Sequence, residues 1–136
     1  MAELPPVEWK LDRGLGLSLE GAAGGDVVLR LDPGEIAVVG EGDQAYLHGG
    51  ALATCVDTAS WYSAESAAPS EGKGDWVVSG LSFEGLRLAR PEPHRVTARC
   101  IRAGSTRAVV DVEIASEAEP ARLVTIGRVS LARAPA

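Results

Sequence analysis

The sequence contains few of the residues that bind metals or cross-link small folds through disulfides. Its 136 residues include two cysteines, two histidines and one methionine. Cys55 and Cys100 lie in apolar surroundings without CxxC or Cys/His spacing, so neither a disulfide framework nor a zinc site is predicted. Because His48 and His94 are the only histidines, a metal site built on histidine pairs is not expected either. Any chemistry must therefore use few residues.

An excess of basic charge and long apolar runs are also missing. Thirteen Lys and Arg stand against 19 Asp and Glu, a net charge of -6 that argues against sequence-independent nucleic-acid binding. No apolar stretch approaches the ~18 residues that cross a bilayer. The first residues, Met1–Pro6, are acidic and broken by proline, unlike a signal peptide. We predict a cytoplasmic protein that binds neither membranes nor nucleic acids.

The composition that remains is typical of one globular domain. With 46% hydrophobic and 24% charged residues, a chain of this length can bury about two-thirds of its unfolded surface. We expect a single domain over residues 1–136. Both ends, which carry Pro5-Pro6 and Ala134-Pro135-Ala136, are expected to fray.

Strand-like patterns occupy both halves of the chain. Alternating leucines and valines from Leu15 to Leu31, interrupted by glycines, predict a β-hairpin. His94, which follows Pro93 at the start of a strand, is expected at the surface. Four further runs rich in β-formers cover Trp76–Leu88, His94–Arg102, Thr106–Ala115 and Arg122–Leu131. Their short connections predict an antiparallel meander.

A single helix is predicted between the hairpin and the meander. Leu52, Cys55, Val56 and Ala59 fall at i, i+3, i+4 and i+7, which makes one apolar stripe over about residues 50–65. The order is β-β-helix-β-β-β-β. One helix among about six strands has to pack on a face of their sheet, so the predicted class is α+β.

The segment His48-Gly49-Gly50, followed by Asp57 in the helix, is the best candidate for chemistry. Two glycines let the backbone turn sharply and leave N–H groups at the positive end of the helix dipole, where an anion or polarised carbonyl is favoured. Asp57 is set among small and apolar residues, which costs desolvation unless the carboxylate is used or paired. It could act as a nucleophile or as a base. The alternative is ordinary turn chemistry and a solvated aspartate.

The run from Tyr46 to Ala59 resembles the HGG(x6)D(T/N)A signature of hotdog-fold acyl-CoA thioesterases, in the branch of the phenylacetate-pathway and hydroxybenzoyl-CoA enzymes. Val78–Pro91 is similar to the third strand and proline turn of that family, and Val96–Thr106 to its strand-Gly-strand hairpin. The resemblance covers about residues 13–132. It implies a hotdog fold, in which an antiparallel sheet of about six strands wraps around one long central helix.

The resemblance also implies an activity, the hydrolysis of an acyl-CoA to free acid and coenzyme A. Asp57 matches the catalytic carboxylate, as nucleophile or general base, and Gly49 the glycine whose N–H polarises the thioester carbonyl. His48 would position the loop or contact the thioester. Ser79 falls where some members carry a hydroxyl that orients water or the carboxylate, or it is simply a strand hydroxyl. No cofactor is expected, since coenzyme A is part of the substrate.

Substrate-binding positions follow from the same resemblance. Trp61, one turn after Asp57, either lines an acyl pocket or packs in the core. Around the turn at 103–105, basic residues and turn N–H groups would meet the coenzyme phosphates, although such arginines are more often solvated. The positions expected to bind substrate are Gly50, Gln44, Trp61, Arg102, Ser105 and Arg107, with Arg128 a further candidate.

One position departs from the family pattern. Many members carry Asn or Gln six residues before the motif histidine, where this chain has Gly42, and Gln44 would have to substitute. That departure favours a rival interpretation, a non-catalytic acyl-CoA-binding hotdog protein. A third possible function, dehydration of a hydroxyacyl thioester, ranks last among these interpretations.

The resemblance further implies a homodimer with shared active sites, the carboxylate of one subunit facing the glycine N–H of the other, and a homotetramer built from such dimers. The sequence specifies neither the acyl group nor the arrangement of the tetramer.

Overall fold

The computed structural model describes residues 4–135, which form a six-stranded sheet, a two-stranded sheet and one long helix. The helices are α1 (Lys10–Leu15) and α2 (Gly49–Ala67), with short 3-10 turns at Glu35–Ala37 and Gly42–Gln44. The strands are β1 (Leu17–Ala23), β2 (Asp26–Leu31), β3 (Val38–Val39), β4 (Tyr46–Leu47), β5 (Trp76–Gly85), β6 (His94–Ala103), β7 (Arg107–Ser116) and β8 (Leu123–Arg133).

Six strands form an antiparallel sheet in the order β1-β2-β6-β7-β8-β5, and α2 packs on one face of it. The predicted hairpin, the helix and the four later strands are therefore confirmed, with ends that differ by a few residues. The sheet wrapped around a single helix is the architecture that the resemblance implies. Neither helix of residues 4–135 combines the length and apolar character that a membrane crossing requires.

Three small elements were not predicted. Helix α1 is only six residues long and includes Gly14, so it shows no apolar period; Gly16, at φ 94°, ends it. Strands β3 and β4 are two residues each and pair only with one another. All three elements lie around the start of α2 and fix where that helix begins.

Small residues let α2 lie close to the sheet. Its buried face carries Ala51, Leu52, Cys55, Val56, Ala59, Tyr62 and Ala64. On β8, a Cβ at Gly127 would come within 2.8 Å of Val56 Cγ1, so glycine is required for this approach. Cys55 and Cys100 are free thiols, the first buried and the second half-buried.

The surface position predicted for His94 is wrong. On β6, the side chains of His94, Val96 and Ala98 are buried on the face that meets α2, whereas Arg95 and Arg99 alternate to the other face. His94 is fully buried because it begins the inward-facing row of that strand.

The N-terminal segment contacts the helix, and the fraying expected of both ends stays a prediction. The Tyr62 hydroxyl donates to the Pro5 carbonyl at 2.8 Å, and Trp9 makes edge-to-face contacts with Trp61 and Tyr62. Residues 1–3 and 136, also predicted to fray, lie outside the described part of the chain.

Strand β5 lies at the edge of the sheet with only β8 as a neighbour. Most of it is exposed, including the apolar side chains of Val77, Leu81 and Phe83. Leu86 and Leu88 extend the exposed apolar surface beyond the strand. An exposed apolar edge of this kind can accept a further strand.

Candidate active site

The start of α2 is capped by the side chain of His48. Its Nδ1 accepts the Gly50 N–H at 2.8 Å, and its carbonyl accepts the N–H groups of Ala51 and Leu52. Among residues 4–135, the N–H of Gly49 has no hydrogen-bond partner. Of the four N–H groups that open a helix, three are thus satisfied and one is left for a ligand at the positive end of the helix dipole.

The two positions of the motif hold glycine for different physical reasons. A Cβ at Gly50 would lie 2.9 Å from His48 Nδ1, so the cap itself requires glycine there. A Cβ at Gly49 would meet no atom within 4 Å, and its φ is not positive. Within residues 4–135, neither packing nor backbone conformation therefore requires glycine at 49, whereas close approach of another group to its N–H would.

Two backbone hydrogen bonds hold this loop in place. The N–H of Leu47 donates to the Ala89 carbonyl, and the N–H of His48 donates to the Ala37 carbonyl, both at 2.8 Å. Strand β4 and the 3-10 turn at Glu35–Ala37 therefore fix the position of the Gly49 N–H. Such prior fixation is what makes a donor effective toward developing negative charge.

Asp57 lies on the solvent side of α2, about two turns after Gly50. Within residues 4–135 its carboxylate has neither a hydrogen-bond donor nor a cationic partner; only its carbonyl is engaged, by the Ser60 hydroxyl. Partial burial, and secondarily the negative charge of Asp12, raise the pKa of Asp57. A carboxylate without a partner and with a raised pKa is a better proton acceptor than a solvated one.

A buried carboxylate, Asp12, was missed by sequence reasoning and lies close to Asp57. Asp12 of α1 is 5% exposed and accepts a hydrogen bond from the Thr58 hydroxyl of α2. Its contact fixes α1 against the helix at the residue next to Asp57. In the sequence Asp12 stands between Leu11 and Arg13, in a segment without a clear apolar period, so no local pattern indicates that it is buried.

The loop before β4 contains Gly42, the position at which this chain departs from the family pattern. Gly42 begins a 3-10 turn at φ 58°, and a Cβ there would meet no atom within 4 Å. Gln44 ends the turn and is exposed. Arg90 Nη1 donates to the carbonyls of Asp43 and Ala45, which ties this loop to the segment after β5.

An apolar cavity of about 320 Å³ adjoins the capped helix start. His48 and Gly50 form one side of it, and α1 and the turn before β3 contribute the other. Its apolar lining residues are Leu11, Leu15, Ile36 and Ala51, of which Leu11 and Ile36 are well exposed. Sequence reasoning missed this cavity because α1 was not predicted.

Two predicted residues lie elsewhere. Ser79 occupies a bulge of β5, and its hydroxyl donates to the Ser130 carbonyl at 3.1 Å. Trp61 packs edge-on against Trp9 and Tyr62, with ring centroids 5.5 and 5.2 Å away, and its indole N–H donates to Asp75. Trp61 therefore packs in an aromatic cluster and does not line the cavity beside His48.

The basic turn lies at the other end of α2. Arg102, Ser105 and Arg107 are exposed around the β6–β7 connection, where the Gly104 N–H donates to the Arg107 carbonyl. Arg128 is not at this turn: it faces Asp111 in the middle of β7, and its bidentate hydrogen bonds, at 2.6 and 2.8 Å, lower the pKa of that carboxyl.

Fold and motif together define a hotdog-type protein with a candidate site at the helix start. Residues 44–121 match the family model described as the thioesterase superfamily, which is more than half of the chain. The chain belongs to the thioesterase superfamily.

Relatives agree with that assignment. A Halobacterium salinarum protein whose name calls it a candidate esterase is 34% identical over 110 residues, which are 79% of this chain and 70% of that protein. The PaaI protein of the E. coli phenylacetic acid degradation operon superposes with a TM-score of 0.75 at 23% identity, covering 90% of this chain and 83% of PaaI.

A hypothetical thioesterase of Streptococcus pneumoniae, solved with coenzyme A, gives a TM-score of 0.73 at 21% identity and covers 88% of this chain and 86% of its own. At these identities the solved structures show that the fold is shared.

Proposed function

We propose that the protein hydrolyses acyl-CoA thioesters, with the Gly49 N–H as oxyanion donor and Asp57 as the catalytic carboxylate. The observation that carries this proposal is the N–H of Gly49, which has no partner among residues 4–135, at a position where a Cβ would meet no atom of those residues within 4 Å. A fixed N–H aimed at a carbonyl oxygen is worth ~10²–10³ in rate.

The reaction is an acyl transfer to water. Asp57 accepts a proton from water as its oxygen adds to the thioester carbon, and the Gly49 N–H stabilises the oxyanion that forms. The carbon–sulfur bond then breaks, and the proton passes to the departing thiolate, which yields acid and thiol. The raised pKa of Asp57 favours this role.

If Asp57 instead attacks the carbon directly, an anhydride forms and water cleaves it. Label in the Asp57 carboxylate after a single turnover in ¹⁸O-labelled water would identify the anhydride route, since the general-base route forms no bond to that carboxylate.

Two copies of the chain are needed for this arrangement. Gly49 and Asp57 are eight residues apart on one helix, which separates them by ~12 Å along its axis. A donor and a base acting on one carbonyl must both be within ~3 Å of the reacting atoms. We therefore propose that Gly49 of one subunit and Asp57 of its partner form each site, in a homodimer.

The exposed edge of β5 is the proposed dimer surface. It presents unpaired backbone groups together with Leu81, Phe83 and Leu86, and edge strands of two copies can pair across a twofold axis. The partner would then lie beside α2, because β5 and the helix are in contact. The homotetramer stays a prediction.

The apolar cavity beside His48 is the proposed acyl site, since His48 and Gly50, the residues on either side of Gly49, line it. Its volume of about 320 Å³ suits a short or aromatic acyl group. Arg102, Ser105 and Arg107 are the proposed contacts for the coenzyme phosphates, and Gln44 the proposed polar contact near the thioester.

The test is thiol release from a panel of acyl-CoAs, from acetyl through long-chain to phenylacetyl and benzoyl, by the wild type and Asp57→Asn. We expect turnover that falls by ~10³ or more in the variant, because a general base contributes ~10²–10⁴ and a nucleophile more. Asp26→Asn, an exposed acid on β2, is the matched control. Wild-type turnover in a folded Asp57→Asn would contradict the assignment.

A second candidate is a non-catalytic acyl-CoA-binding protein, which the absence of an amide at Gly42 favours. It predicts thermal stabilisation by an acyl-CoA without thiol release. Gly42→Asn then tests the departure directly, since asparagine tolerates φ 58° and a Cβ has open space there. Turnover that appears only in this variant would identify the binding protein as the natural state.

A further inference from the structure

A second cavity, of about 360 Å³, lies at the end of the sheet where β6 begins and β7 ends. Its lining is dominated by charged groups: Arg87 from the segment after β5, Arg90 beyond it, and Arg122 at the start of β8. Glu92 and Glu119 also line it, so arginines outnumber carboxylates in a protein of net charge -6. The excess of positive charge is therefore local.

Each of the three guanidinium groups keeps N–H groups that make no hydrogen bond within residues 4–135. Arg87 has no side-chain partner in the part of the chain that the structure describes. Arg90 donates from one nitrogen, to the carbonyls of Asp43 and Ala45, and keeps its other N–H groups. Arg122 meets Glu119 at 3.4 Å, in a pair that is 62% exposed on both sides and correspondingly weak.

A buried, unsatisfied histidine completes the lining. His94 is fully buried, and its Nδ1 lies 2.6 Å from the Glu92 carbonyl, so that nitrogen must carry the proton. Its Nε2 has no partner among residues 4–135 and is shielded from solvent. Native proteins satisfy most buried polar atoms through protein groups, water or an ion. His94 therefore adds a polar group to the wall of the cavity, beneath its accessible surface.

We propose that this cavity is an anion site that binds a phosphate group through Arg87, Arg90 and Arg122. Phosphate offers acceptor oxygens to several guanidinium groups at once. The proposal does not depend on thioester hydrolysis.

The cavity is distinct from the basic turn proposed for the coenzyme. His94 begins β6 and Ala103 ends it, ten residues that span ~30 Å of strand, so the two clusters lie at opposite ends of the sheet. Two sources of phosphate are open to this site, free phosphate and the phosphate groups of coenzyme A bound from a neighbouring subunit.

The experiment is a calorimetric titration of the full chain with inorganic phosphate in chloride buffer. We expect one saturable site per chain. Arg87→Ala and Arg122→Ala each remove a charge-assisted contact and should weaken binding by about tenfold or more. Glu92→Gln removes an opposing charge and should strengthen it. Arg95→Ala is the matched control, because Arg95 neighbours His94 but points to the opposite face.

The side chains of Arg87, Arg95 and Arg122 are exposed and that of Glu92 is half-buried, so these variants should fold as the wild type does. Competition then identifies the source: displacement of phosphate by coenzyme A but not by pantetheine indicates the coenzyme phosphates, and no displacement indicates free phosphate. Both results support the site. Absence of saturable binding, or binding that is equal in Arg87→Ala, Arg122→Ala and Arg95→Ala, overturns it.

Discussion

The backbone N–H of Gly49 can be deleted almost without disturbing the fold. Gly49 is the first residue of α2, the helix position at which proline is most readily accepted. The preceding residue, His48, has φ -60° and ψ 133°, the extended conformation that a following proline requires. Gly49→Pro therefore removes one N–H group and adds a ring in open space.

The effect on stability should be small or favourable. Because the Gly49 N–H has no partner within the described chain, proline breaks no hydrogen bond, and it restricts the unfolded state. Substitutions of this kind at a compatible position add about 0.4–1 kcal/mol to the free energy of unfolding. The melting temperature of Gly49→Pro should thus equal or exceed that of the wild type.

The effect on activity should have the opposite sign. Loss of one oxyanion donor lowers kcat by ~10²–10³, which corresponds to about 2.7–4 kcal/mol of transition-state stabilisation. Gly49→Ala is the control, because it adds a Cβ at the same point but keeps the N–H. The larger loss in the proline variant would then measure the donor rather than the added bulk.

Thiol release can be followed in this protein with little background. Burial raises the pKa of Cys55 to about 12, and the pKa of Cys100 is also raised by burial, so the protein's own thiols react slowly. A folded Gly49→Pro variant that turns over as fast as Gly49→Ala would refute the role given to this N–H.

Two further predictions concern the surroundings of the site. Asp12→Asn keeps a partner for the Thr58 hydroxyl but removes a buried negative charge, which lowers the pKa of Asp57. Since the base must be deprotonated, the rise of kcat with pH should move to lower pH, and an unchanged profile would separate Asp12 from catalysis. Ile36→Ala enlarges the apolar cavity. The ratio of kcat/KM for a longer acyl-CoA to that for a shorter one should rise by about 10–200-fold per methylene accommodated. An unaltered preference across the acyl-CoA panel would place the acyl group elsewhere.

The long elements were predictable because one face of each is buried. The apolar stripe of Leu52, Cys55 and Val56 meets the sheet, and the alternating residues of β6 to β8 follow the same rule. His94 shows where this reasoning fails. The alternation of β6 puts His94 in register with the buried Val96, whereas a polar residue after proline at a strand start predicts a surface position; in the fold, register decides.

The parts of the site that sequence could not supply are those built by short or tertiary contacts. Helix α1 has one and a half turns, so its packing on α2 through Asp12 and Thr58 leaves no periodic signal. The cavity beside His48 needs Leu11 and Ile36 to meet across loops whose paths no local pattern fixes. The different requirements for Gly49 and Gly50 likewise become visible only with the position of His48 Nδ1.

A shared site makes a prediction that a site within one chain cannot make. If Gly49 of one subunit acts with Asp57 of its partner, a dimer of one Gly49→Pro and one Asp57→Asn chain has one site with both lesions and one site with neither. Equal mixing by unfolding and refolding gives such dimers in half of the population, so about a quarter of wild-type turnover should return. Each variant refolded alone is the control. Differently tagged chains show whether exchange is complete. If exchange is complete and mixing still restores no activity, Gly49 and Asp57 of the same chain serve one site despite their separation along α2.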